Sequence, residues 1–209
     1  MNPAPLGPAA NPRKTTTVRK LGPIDITALR AAVLAIPEAI WDAENADKPN
    51  KLDVLEETRH IVFRFIDNAI DWRRSYDCPA WSPWRRLLEP VLTQAVRDYG
   101  YVRGAYPRVM LANMPPGGVI PPHVDANPAA LWPHKIHVPL FTNDRVVCWF
   151  GEAEHHFPAG EAVEVNNLGG HWVRNGGDTD RVHLIFEYYD ADQPEPGWLQ
   201  AMLHAGAAR

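Results

Sequence analysis

The chain contains His60, His123, His134, His137, His155, His156, His171, His183 and His204, and seven of these nine imidazoles fall between positions 123 and 183. The spacing His123-Val124-Asp125 is the first that could do chemistry. On a strand, residues two apart face the same way, so this tripeptide offers one imidazole and one carboxylate to a single ion. A second imidazole completes a two-His, one-carboxylate set. That set leaves three positions of an octahedral metal open and suits non-haem Fe(II) oxygenases. His171, 48 residues downstream and directly after Gly169-Gly170, is one candidate for the third ligand, and His183 is its rival.

What lies ten residues further on separates the two. After His171 it is Arg181; after His183 it is the uncharged Gln193. A 2-oxo acid can chelate Fe(II) through its keto oxygen and adjacent carboxylate, leaving room for O2. The far carboxylate of 2-oxoglutarate then needs a cation, and Arg meets a carboxylate with two parallel hydrogen bonds. If such an anchor is required, His171 is the better ligand and Arg181 the anchor. The Gly-Gly-Asp-Thr-Asp turn at 176–180 would join their two runs as a hairpin facing one cavity. Lys135 and His137 share a strand face and are placed to hydrogen-bond the cosubstrate. Arg108, Asn113, Arg145 and Asn175 are candidate substrate contacts. Structural readings compete with several of these roles. Arg181 can pair with Asp178 or Asp180, and Lys135 can be a solubilising edge-strand charge. His155 and His156 suit a turn, while His134 and His183 suit supporting positions. The Trp residues within 72–84 suit packing between helices and barrel.

The elements that must position these groups are short strands. PRVMLANM, PPGG and VIPPHVD read as strand, turn, strand. KIHVPLFT, VVCWF, AVEVNN, GGHWVRN and RVHLIFEYY continue the series with turns at Asn143-Asp144, Gly160 and Gly176-Gly177. Seven or eight strands at this spacing predict an antiparallel sandwich or barrel, with the jelly roll leading. Upstream, HIVFRFI at 60–66 alternates as a strand. Asp25 can cap a helix over about 26–36, a second short helix follows Pro37, and Ser82-Pro83 opens a helix running to about Tyr99. Residues 1–20, with four Pro and little to bury, read as a disordered leader. The expected layout is therefore that leader, an N-terminal helical region over 21–104, a β core over 105–192, and a C-terminal segment over 193–209.

Composition sets the outer bounds. The chain has 209 residues, 21 Lys+Arg against 25 Asp+Glu and a net charge of −4, which argues against a nucleic-acid binder. No run approaches the ~18 apolar residues of a membrane span. Two Cys in the chain and no secretory signal make a reducing cytoplasm the expected location. Oligomeric state is not legible in the sequence.

The series HVD, KIHVPLFTN, GGHWVRNGG and RVHLIFEY resembles the aspartyl/asparaginyl β-hydroxylase family of 2-oxoglutarate- and Fe(II)-dependent oxygenases, across about residues 105–190. The resemblance implies a mainly β fold with N-terminal helices, the double-stranded β-helix (a cupin-like jelly roll). It implies Fe(II) held by His123, Asp125 and His171, and 2-oxoglutarate held by the metal and Arg181, assisted by Lys135 and His137. Many members carry Arg where this chain has Lys135. The implied reaction uses O2 to hydroxylate an unactivated C–H of an amino acid or amino-acid side chain, with succinate and CO2 as co-products. A small-molecule or peptide substrate is the expected partner. The contrasting expectation is a cupin-like metal- or ligand-binding protein without oxygenase turnover.

Overall fold

The computed structural model describes residues 8–207. In chain order its elements are β1 (Val18–Pro23), α1 (Thr27–Leu34), α2 (Glu38–Asp47), β2 (Arg59–Ile66), β3 (Ser75–Asp77), α3 (Trp81–Val96), β4 (Gly104–Ala105), β5 (Val109–Met114) and β6 (Val119–His123). There follow β7 (His134–Phe141), β8 (Val146–Phe150), β9 (Ala153–His155), β10 (Glu161–Val165), β11 (His171–Asn175), β12 (Arg181–Asp190) and α4 (Gly197–Ala207). An eight-stranded sheet runs β1-β10-β7-β12-β5-β2-β3, with β4 pairing the end of β12, and faces a four-stranded sheet ordered β6-β11-β8-β9. Every pairing is antiparallel. This is the jelly roll that the strand spacing predicts.

Alternation along the central strands explains the layering. Leu111, Leu184, Phe186, Ile136, Val138, Ile61 and Phe63 turn to one face of the large sheet, where α1 and α3 cover them with Leu29, Val33, Leu88, Val91 and Leu92. The opposite parity faces the small sheet, where Met114, Val163 and Val165 pack on Ile120, Val146, Cys148, Phe150 and Val173. On its far side the small sheet carries a cross-strand stack of Trp149 on Trp172, with ring centroids 5.9 Å apart and planes 9° from parallel. A third cluster gathers Trp72, Trp132, Tyr189 and Leu199, so α4 and the segment after β2 close one end of the sandwich. Trp72 and Trp84 thus serve packing, Trp84 against Phe63 of β2.

Three expectations change. Residues 21–104 are not purely helical, because β1, β2 and β3 extend the large sheet of the core. The leader expected over 1–20 does not hold over 8–20. Asn11 N–H donates to the Leu131 carbonyl at 3.0 Å, Thr15 N–H to Glu164 at 3.1 Å, and β1 pairs with β10. Prolines at the edge of a sheet cost no ladder bonds, which is why the Pro-rich composition conceals this ordered strap. Residues 1–7 of the expected leader, and 208–209 of the C-terminal segment, lie outside the described residues. Finally, β11 and β12 are not a hairpin: the 176–180 turn carries the chain from the small sheet to the large one.

The predicted helices stand with shifted ends. Asp25 Oδ1 accepts Thr27 N–H at 3.0 Å at the start of α1. α3 begins at Trp81 and tolerates Pro90 in its interior, because its buried stripe of Leu88, Val91, Leu92 and Ala95 outweighs one lost backbone bond.

Candidate active site

β6 is an edge strand, which accommodates Pro121-Pro122 without loss of ladder bonds, and it ends at His123. Asp125 therefore lies just beyond the strand, not on it. Its N–H donates to the Asn167 carbonyl at 3.0 Å, which pins it opposite the loop that leads into His171. His171 opens β11 and pairs in register with His123 across the two strands, their ring centroids 4.1 Å apart. One donor atom from each of His123, Asp125 and His171 lies within 4.8 Å of the others.

The hydrogen bonds around the three residues fix what each presents. His123 Nδ1 faces the Pro121 carbonyl at 2.8 Å and His171 Nδ1 faces the Gly169 carbonyl at 3.0 Å. A carbonyl has no proton to give, so both Nδ1 atoms are the donors and both Nε2 atoms keep free lone pairs. Asp125 Oδ2 accepts from Asn167 Nδ2 at 2.9 Å and lies 3.5 Å from Lys135 Nζ, while Oδ1 turns toward the His123 Nε2. Burial alone would raise the Asp125 pKa; Lys135, the Asn167 amide and the two imidazoles outweigh it and hold the carboxyl well below its usual range. Burial also lowers the pKa of His171, which favours the neutral imidazole. Two imidazole nitrogens and one carboxylate oxygen fit Fe(II).

Arg181 opens β12 with its side chain toward the small sheet and is 1% exposed. Its Nη2 donates to His183 Nδ1 at 2.8 Å, its Nε has no partner, and among the described residues no carboxylate lies within 4 Å of it. Asp180 instead accepts from Asn113 Nδ2 at 2.9 Å and lies 3.9 Å from Arg59, so the ion pair that competes for Arg181 in the sequence does not form. Rings connect this guanidinium to the donor cluster: His183 to His137 at 5.7 Å, His137 to Phe150 at 6.4 Å, and Phe150 stacked on His171 at 5.4 Å. Burial, and then Arg181, hold His137 and His183 neutral. Cys148 lines the same interior, its thiol pKa raised by burial against the opposing pull of Arg181.

The four expected substrate contacts divide. Arg108 lies near the centre: its Nη1 donates to both oxygens of Glu187 at 2.6 and 2.8 Å, and Lys135 Nζ is 3.9 Å from the same carboxylate. Asn113 has the opposite parity and points to an outer cleft beside Val33, Trp41 and Asp180. Asn175 spends its amide on the carbonyls of Met114, Pro115 and Thr179, which shapes the crossing turn. Arg145 is exposed at the far end of β8. None of these last three reaches the site. His134 donates Nδ1–H to the buried Glu164 at 2.7 Å on the helix-covered face, and His183 supports Arg181. Glu187, Asn167 and Lys14, whose Nζ donates to Asn167 Oδ1 at 3.0 Å, have no local sequence signal.

A family model described as Aspartyl/Asparaginyl beta-hydroxylase matches residues 51–191. No curated protein matches the chain. Solved structures share the fold. The chain is similar to the viral collagen prolyl hydroxylase vCPH from Paramecium Bursaria Chlorella virus-1 in complex with 2OG (10% identity, 83% of this chain and 95% of that one, TM-score 0.50). It is similar to AviO1 from Streptomyces viridochromogenes (15% identity, 86% and 92%, TM-score 0.53). It is also similar to SnoN, a non-heme alpha ketoglutarate dependent epimerase from nogalamycin biosynthesis (13% identity, 88% and 83%, TM-score 0.55). The matched stretch covers most of the chain and contains His123, Asp125, His171 and Arg181, and the chain belongs to the aspartyl/asparaginyl β-hydroxylase family.

Proposed function

We propose that this protein is a 2-oxoglutarate-dependent Fe(II) dioxygenase that hydroxylates an unactivated C–H of an amino acid, free or within a peptide. His123 Nε2, His171 Nε2 and Asp125 Oδ1 hold the iron, and Arg181 takes the distal carboxylate of 2-oxoglutarate. Bound Fe(II), with 2-oxoglutarate and O2, supplies the oxidising chemistry, and succinate and CO2 leave as co-products. The protein's part is orientation and exclusion of water. Asn167 and Lys135 keep Asp125 ionised and aimed. His137, held neutral, hydrogen-bonds the cosubstrate near the metal, and His183 holds the Arg181 fork in one plane. Cys148 and Phe150 give the pocket a dry wall.

The observation that carries this reading is the pairing of a buried cation with a cluster of donor atoms. Arg181 is wholly buried and meets no carboxylate among the described residues, and one donor atom each from His123, Asp125 and His171 lies within 4.8 Å of the others. A metal-chelating dicarboxylate engages both. Anaerobic titration of the Fe(II)-loaded protein with 2-oxoglutarate, followed by visible absorption, tests it. A weak charge-transfer band that is lost or needs far more 2-oxoglutarate in Arg181→Ala supports the assignment. No band in folded, metal-loaded protein sinks it.

A further inference from the structure

We propose that Lys14 is a positioning residue for the metal centre: through Asn167 it clamps together the two loops that carry the iron ligands. This role rests on the metal site proposed above and goes beyond it, because Lys14 lies outside the family-matched residues 51–191.

The geometry is specific. Lys14 reaches inward from the N-terminal strap and its ammonium is buried. Nζ has three N–H bonds and three acceptors: the Ala130 carbonyl at 3.1 Å, the Pro133 carbonyl, and Asn167 Oδ1 at 3.0 Å. Ala130 and Pro133 belong to the loop that follows Asp125. Asn167 belongs to the loop that precedes His171, and the Gly169 carbonyl of that same loop fixes the His171 tautomer. One ammonium therefore spans both ligand-bearing loops.

The span ends on a ligand atom. With its Oδ1 engaged by Lys14, the Asn167 amide can turn only one way, so Nδ2 must face Asp125 Oδ2, which it meets at 2.9 Å. That contact leaves Oδ1 as the oxygen presented beside His123. Without Lys14 the Asn167 Oδ1 loses its donor and the loops lose their shared ammonium, so the Asp125 carboxylate alone is left to orient the amide. The strap itself is fixed independently of Lys14. Asn11 Nδ2 donates to the Trp132 carbonyl at 3.0 Å, Arg13 lies over the Tyr101 ring at 4.5 Å, and β1 pairs with β10. Lys14 thus has a rigid base from which to hold Asn167.

Groups that orient a metal ligand without touching the metal typically contribute about 10–100-fold to metal affinity. Co(II) is a suitable probe because its visible d–d bands report the ligand set without turnover, cosubstrate or O2. We expect Lys14→Met to bind Co(II) about 10-fold more weakly than the unsubstituted protein, with altered band intensities and a similar unfolding temperature. Asn167→Ala should do the same, and the Lys14→Met/Asn167→Ala double variant should be no weaker than Asn167→Ala alone, because both act on one path. Lys14→Gln, which keeps an N–H donor and removes the charge, serves if Lys14→Met does not fold and should lie between the two. Unchanged Co(II) affinity in the Lys14 variants, or losses that add in the double variant, would overturn the role. Absence of His123-dependent Co(II) uptake in the unsubstituted protein would overturn the metal centre, and the role of Lys14 with it.

Discussion

Arg181 and His183, two residues apart on one face of β12, are joined by a 2.8 Å hydrogen bond from guanidinium to imidazole, and the guanidinium meets no carboxylate within 4 Å among the described residues. A buried charge held by a neutral partner is an arrangement that favours binding over stability. Arg181→Met should therefore raise the unfolding free energy of the ligand-free protein by about 1–4 kcal/mol, the range seen when buried ionic groups give way to apolar ones. The same change should remove the stabilisation by 2-oxoglutarate, which for the unsubstituted protein reaches about 2.7 kcal/mol at a hundredfold excess over Kd. Urea unfolding of both proteins with and without 2-oxoglutarate checks the pair of outcomes. A destabilised variant, or one that still responds to 2-oxoglutarate, contradicts them.

His60 gives the fold a dependence on pH. It is 2% exposed, faces the Lys48 ammonium at 3.3 Å, and burial, followed by Lys48, lowers its pKa from 6.5 to about 3. Between those values the unfolded chain binds a proton that the folded one refuses, so stability falls as pH drops below 6.5. The slope is about 1.4 kcal/mol per pH unit for one such group. His60→Gln should flatten the curve by that amount between pH 6 and pH 4, read as the difference between the two proteins so that carboxylates common to both cancel. Parallel curves would show that His60 does not carry the effect.

Glu187 holds Arg108 through both carboxylate oxygens, and the two are 2% and 8% exposed. Glu187→Ala leaves a buried guanidinium without its partner and should cost about 3–5 kcal/mol. Adding Arg108→Leu should recover much of that loss. Chemical denaturation of the two single variants and the double variant measures the coupling, and strictly additive losses would mean that the pair is not coupled.

Gly104 pairs through β4 with the end of β12, and a Cβ there would overlap the phenol of Tyr188. That ring is held between Tyr101, at 5.3 Å, and Tyr106, at 5.1 Å, so it has nowhere to move. Gly104→Ala should destabilise by about 1–3 kcal/mol with no change in metal affinity. Thermal unfolding alongside Co(II) titration separates the two effects.

These sites show which parts of the molecule can be read from the chain. His123, Asp125, His171 and Arg181 stand out in the chain because the chemistry proposed for them demands particular residue types, and their order along the chain is itself a signal. The β core is legible because short apolar runs such as 109–114 and 181–190 are set off by turn residues. Asn113 and Asn175 have a suitable residue type, yet strand parity turns the first outward and three turn carbonyls occupy the second. The supporting contacts have no local signature. Lys14 meets Asn167 across 153 residues, Arg108 meets Glu187 across 79, and Asn167 meets Asp125 across 42. β1 escapes notice because prolines precede it and a sheet edge does not require the alternation that marks an interior strand.

The stacked indoles of Trp149 and Trp172 give the molecule an optical handle. Trp172 is the neighbour of His171, on the opposite face of the same strand, and Trp149 is the neighbour of Phe150, whose ring lies flat against that histidine. A paramagnetic ion bound at His171 would lie across the small sheet from both emitters, each the chain neighbour of a ring that lines the site. Indole emission, and the paired ellipticity bands of two coupled chromophores in the near ultraviolet, should therefore rise and fall with occupancy of the metal site. The fold carries its own gauge of loading, readable without label, cosubstrate or turnover.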